Sequence, residues 1–130
     1  MKGCDRLGKV IDINFKYKVA IATTDEIVVN THFGHAQQFL IVGIDGENKL
    51  HKIEVRKVKP PCNLGEHDDL ILKNNVQLLS DCKYVLVSKI GQNAANALQV
   101  IGVNAIELPG FIEESVRRLV AYEQIQSLFL

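Results

Sequence analysis

The sequence predicts an α/β domain of three layers, with a mixed β-sheet and helices on both of its faces. Three observations carry that expectation. The first half of the chain is built of short β-branched runs and one alternating run, and the second half places apolar strands between segments of helical period. The length of 130 residues and the hydrophobic content of 47% suffice for one core and leave no room for a second. Residues 1–17 carry no clear pattern and read as an N-terminal extension of unknown role, either a junction remnant or an extra edge strand through Val10, Ile11 and Ile13; residues 18–130 read as the single domain.

The elements follow in order. The run YKVAIAT at 17–23 is short, β-branched and bounded by polar turn residues, and Ile27, Val28 and Val29 return after Thr24-Asp25-Glu26, which reads as a tight hairpin. FLIVGI at 39–44 is a buried strand and Asp45-Gly46-Glu47-Asn48 a turn. Residues 50–58 then alternate, with Ile53 and Val55 facing one way and Lys52, Glu54 and Arg56 the other. This half is an antiparallel meander. After Pro60-Pro61, Leu72, Val76 and Leu79 stack at helical spacing, so a helix over 66–79 is expected, with Asp68 and Asp69 in its first turn, where the dipole favours anions. YVLVS at 84–88 is an apolar strand, and Ala94, Ala97, Leu98 and Ile101 mark a helix ended by Gly102. A strand at 103–108, a turn at Pro109-Gly110 and a last helix through Ile112, Val116, Leu119 and Val120 complete the chain. Strands joined through helices lie parallel, with right-handed crossovers.

Composition excludes several function classes. Fifteen Lys and Arg balance fifteen Asp and Glu, so neither nucleic acid nor an anionic membrane finds a broad basic footprint. Three Cys, at positions 4, 62 and 82, without a CxxC, argue against a disulfide framework and suit a reducing cytoplasm. No run approaches the ~18 apolar residues of a membrane span. There is no GxSxG, and the strand Val19-Ala20-Ile21-Ala22 lacks the carboxylates of two-metal hydrolysis.

Two segments carry the candidate chemistry. In Thr31-His32-Phe33-Gly34-His35, two imidazoles three residues apart can turn toward one ligand if Gly34 adopts a backbone closed to other residues; the alternative is one turn-capping and one exposed histidine. In the loop from Lys59 to Asp69, Cys62 and His67 stand five residues apart at the approach to a helix N-terminus. Thiolate with imidazole is a ligand set of zinc, copper and iron–sulfur clusters; the alternative is a plain connecting loop. Both segments follow meander strands and are expected to meet at one end of the sheet. Elsewhere, Cys82 reads as a small core hydrophobe and Cys4 as incidental. Lys49, His51, Lys52, Arg56, Lys57 and Lys59 form a basic strand, a solvated face or an aid to anion capture. Ile90-Gly91-Gln92-Asn93 enters a helix, but with a single glycine it lacks a nucleotide-phosphate pattern.

The runs KVAIAT, THFGHAQQFLIV, PPCNLGEHDD and LLSDCKYVLVSKIGQNAANALQVIGVNAIELPGFIEESVRRL together resemble the dinitrogenase iron–molybdenum cofactor biosynthesis family, which includes NifX, NafY and the C-terminal domain of NifB. The resemblance implies a ribonuclease-H-like fold without nuclease activity. It also implies a non-catalytic carrier for an iron–sulfur or iron–molybdenum–sulfur cluster in nitrogenase cofactor biosynthesis or a related metallocluster pathway. Carried over by position, His32, His35 and Cys62 become candidate metal contacts, with His67 as a further cofactor contact. Implied partners are the donor and acceptor proteins of cofactor assembly, with the chain a monomer or homodimer. The radical-SAM Cys motif of the larger NifB enzyme is missing. Two other classes remain open: a docking module of the same fold without cluster, and a hydrolase using His32, His35 and His67 around zinc.

Overall fold

In the computed structural model, residues 2–4, 10–12, 14–63 and 66–129 are described. Strands β1 (Lys2–Cys4) and β2 (Val10–Asp12) pair antiparallel with each other, and among the described residues no pairing joins them to the main sheet. Of the extra edge strand suggested by the sequence, Val10 and Ile11 therefore belong to this ribbon, and Ile13 lies outside the described residues. The main sheet begins with β3 (Phe15–Ala22), which takes its central position because both of its faces are apolar. Tyr17, Val19 and Ile21 face one cluster, and Ala20 and Ala22 the other. Strand β4 (Val28–Val29) follows, then β5 (Gln38–Asp45) and β6 (Leu50–Lys57). Strands β3, β5 and β6 form the expected antiparallel meander.

Cys62–Asn63 and Glu66–His67 form a small ribbon, β7 and β8, that leads into helix α1 (Asp69–Leu78). The second half then alternates β9 (Tyr84–Val87), α2 (Gln92–Val100), β10 (Asn104–Glu107), β11 (Gly110–Phe111) and α3 (Ile112–Ser127). Strands β3, β9 and β10 are parallel, and the sheet runs β10-β9-β3-β5-β6. Helices α1 and α2 cover one face through Leu72, Val76, Leu79 and Leu98; α3 covers the other through Ile112, Val116 and Leu119. The three-layer mixed sheet with helices on both faces is thus observed. No helix among the described residues is long and apolar enough to cross a membrane.

Three local expectations are corrected. Residues 27–29 do not return along β3, whose two edges are already taken by β5 and β9. Instead, Asp25 Oδ1 accepts from the N–H groups of Ile27 and Val28 at 2.9 and 3.0 Å, an Asx-type turn that sends β4 away to pair with β11. Those amides are the first causes that hold the Asp25 carboxyl below its usual range. Ile53 and Val55 lie on opposite faces, because a register shift between Ile41 and Val42 breaks the alternation of β6. The helix expected over 66–79 starts later: Glu66 and His67 are strand, and Asp68 caps α1 by accepting from the N–H groups of Leu70 and Ile71. Gly102 follows α2 at φ +83°, the left-handed conformation that ends a helix.

Candidate functional site

The parallel strands β3, β9 and β10 end at Ala22, Val87 and Glu107, and β5 begins and β6 ends at that same side. Open α/β sheets bind ligands at this end, where the chain leaves the central strand in opposite directions. Both candidate segments arrive there. The segment 31–35 runs beside the exit of β9: the Ser88 N–H donates to the Thr31 carbonyl at 3.0 Å, and the Phe33 N–H donates to the Lys89 carbonyl at 2.9 Å. Phe33 anchors a single 3-10 turn, Phe33–His35, by burying its ring 5.6 Å from that of Phe39. With Phe33 directed inward, His32 and His35 are left exposed, their rings 5.9 Å apart.

Cys62 is held by three anchors around its loop. The Val58 N–H donates to the Gln37 carbonyl, the Asp68 N–H donates to the Pro61 carbonyl at 2.8 Å, and the buried Asn75 amide donates to the Lys59 carbonyl at 2.7 Å. Its half-buried thiol rests on the 31–35 turn: a methyl group at Gly34 would lie 2.8 Å from Cys62 Sγ. The expected convergence is therefore observed, between the thiol loop and the turn that carries both histidines. The backbone of His67 lies directly across the ribbon from Cys62, while its side chain lies outside the described part of the structure.

A hollow of about 340 Å³ opens beside this contact, lined by Phe33, Gly34, Cys62 and Leu72 and, from α2, by the residues around Gly91. Gly91, Gln92 and Asn93 belong to this site although they carry no nucleotide motif. Their signal was positional, since they follow a parallel strand at its C-terminal end. Gly91 caps α2 without a side-chain hydrogen bond, so the helix presents a partial positive charge to the hollow. His35 lines a neighbouring hollow of about 250 Å³ with Thr23, Thr31, Gln38 and Lys57. Among the described residues, no three of His, Cys, Asp and Glu stand close enough together to hold one metal ion.

The basic strand is neutralised in part. Arg56 donates to both Asp81 oxygens at 2.7 and 2.8 Å and to the Leu78 carbonyl, Lys49 pairs with Glu47, and His51 lies 2.7 Å from Asp45. The Arg56 guanidinium, followed by the Lys18 ammonium, holds the Asp81 carboxyl well below the usual carboxylate range. Lys57 lines the hollow beside His35 and donates to Gln38 Oε1 at 2.8 Å. Cys82 is buried in the core, as its sequence context indicates, and burial pushes its thiol up to about 12.

Fold and site define a mixed α/β domain with one thiol, two imidazoles and a helix N-terminus gathered at one end of the sheet. The chain belongs to the dinitrogenase iron-molybdenum cofactor family, whose model matches residues 16–122. It is 36% identical over 106 residues to the FeMo cofactor biosynthesis protein NifB of Frankia alni, covering 79% of this chain and 21% of that protein. It is 32% identical over 93 residues to protein NifX of Azotobacter vinelandii, covering 70% of this chain and 56% of that one. The chain thus spans about a fifth of that NifB and little more than half of that NifX. The crystal structure of PH0822 superposes with a TM-score of 0.61 at 27% identity, covering 80% of this chain and 88% of that one.

Proposed function

We propose that this domain is a non-catalytic carrier that binds an iron–sulfur or iron–molybdenum–sulfur cluster as cargo during cofactor assembly. The observation that carries this reading is the Cys62 thiol, set against Gly34 in a hollow that the N-terminus of α2 also lines. Iron in such clusters takes thiolate and imidazole ligands, and the cluster's negative charge suits a helix N-terminus. Cys62 supplies the sulfur contact; His32 and His35 on the adjoining turn, and His67 across the ribbon, supply nitrogen. Family membership supports a role in assembly of the iron–molybdenum cofactor, and so does the similarity to NifB and NifX. The strand order, three antiparallel strands continued by two parallel ones, agrees with a ribonuclease-H-like architecture.

One thiol and a few imidazoles leave much of a multi-iron cluster unligated, so a donor protein, an acceptor protein or a second copy of the chain completes its coordination. The test is anaerobic gel filtration of the protein mixed with isolated iron–molybdenum cofactor or its iron–sulfur precursor, with iron and molybdenum assayed in the protein peak. Stoichiometric metal in that peak is expected; a folded protein that elutes without metal overturns the carrier reading. A second reading, a docking module, is favoured by Ile27 and Phe111, which are 60% and 63% exposed beside a hollow also lined by Leu50 and Ile112. Complex formation that is independent of cluster would select it.

A further inference from the structure

We propose that Gly34 is a positioning residue for the Cys62 thiol, needed for its missing side chain and not for its backbone freedom. This rests on the carrier reading and adds to it the element that fixes where the sulfur ligand stands. Among the described glycines, only Gly102 and Gly110 have positive φ, so the Gly34 backbone is one that alanine can adopt. What alanine cannot find there is space. Its Cβ would lie 2.8 Å from Cys62 Sγ and 3.5 Å from Cys62 Cβ; the first distance is a clash and the second an ordinary contact. The conflict is therefore confined to the sulfur atom.

Neither partner can easily withdraw. The turn is fixed by the buried Phe33 and by its hydrogen bond to Lys89, and the Cys62 loop is pinned through Pro61, Lys59 and Val58. A methyl group at position 34 thus moves the thiol, while the two backbones stay in place. The glycine between the histidines also joins the two candidate segments into one unit: the turn that displays His32 and His35 is the surface on which the thiol rests.

The experiment compares wild type, Gly34→Ala, Cys62→Ala and the double variant by three readouts. These are iron retained from isolated iron–molybdenum cofactor, thermal midpoint, and the alkylation rate of Cys62 by iodoacetamide in cluster-free protein, read by peptide mass. We expect Gly34→Ala to lower iron retention to the level of Cys62→Ala, to change the Cys62 alkylation rate severalfold, and to lower the thermal midpoint. In the Cys62→Ala background, the same substitution should change neither iron retention nor midpoint, because the clashing atom is gone. If Gly34→Ala fails to fold, the double variant must fold. A Cys62 alkylation rate unchanged by Gly34→Ala overturns the proposal, as does an equal loss of midpoint in both backgrounds. If wild type retains no iron, the carrier reading falls, and alkylation with the midpoint cycle still decides the role of Gly34.

Discussion

Cys62 and Cys82 bear the same thiol in opposite settings. Cys82 precedes β9 at the end of that strand away from the site. It is 3% exposed within the core beneath α1 and α2, with its sulfur 3.6 Å from an Asp81 oxygen. Burial first, and the Asp81 charge second, keep it protonated. Cys62 sits on a pinned loop at the end of the sheet where the parallel strands finish, half-buried, against a glycine and beside the N-terminus of a helix. The difference teaches that position in the fold decides what a cysteine does: one fills space, and the other is presented.

Alkylation breaks or sharpens this contrast with the largest expected effect. In native protein, iodoacetamide should modify Cys62 on the order of 10³-fold faster than Cys82, because a core thiol is reached only through unfolding; peptide mass spectrometry gives both rates. Comparable rates would contradict the assignment.

A smaller effect concerns the charges beside Cys82. Asp81→Asn removes the partner of Arg56 and Lys18 and should cost about 1–2 kcal/mol in urea unfolding at pH 7. Since the folded-state carboxyl of Asp81 is depressed, its contribution is present above the usual carboxylate range and is lost as pH falls through that range toward its folded value. Asp45, lowered to about 2 chiefly by its hydrogen bond to His51, acts in the same direction. Wild type should therefore lose stability below about pH 5, and Asp81→Asn should lose less. An acid limb as steep in the variant would show that the Arg56 network is not its source.

The smallest effect is that of Cys82→Ala, about 1 kcal/mol at neutral pH for the lost buried group. Its sign at high pH is fixed by the raised thiol: unfolded Cys82 ionises first, so wild type loses this contribution as pH rises above the ordinary thiol range, and the variant has none to lose. Urea midpoints from pH 7 to 10 check it.

The main strands and helices were legible in the sequence because each buries a face whose period survives locally; Leu72, Val76 and Leu79 on one side and Ile112, Val116 and Leu119 on the other show it. What was illegible depends on distant partners. Val28 and Val29 find Gly110 and Phe111 only after the edges of β3 are filled, and the shift at Ile53 is a property of two strands in register. The site was legible as residue types in two segments, and their meeting was expected from the order of strands. The reason for Gly34 was not, since its role is set by a sulfur atom far along the chain. Nor was the N-terminus of α2, which carries no motif and counts only by its place at the end of β9.

The most direct test of the central claim, that Cys62 is the sulfur contact of a carried cluster, is protection. Protein with and without bound iron–molybdenum cofactor is alkylated anaerobically, and modification of each cysteine is counted. Bound cluster should shield Cys62 in proportion to the metal retained and leave Cys82 unchanged. Full metal retention with Cys62 alkylated as fast as in cluster-free protein would contradict the claim.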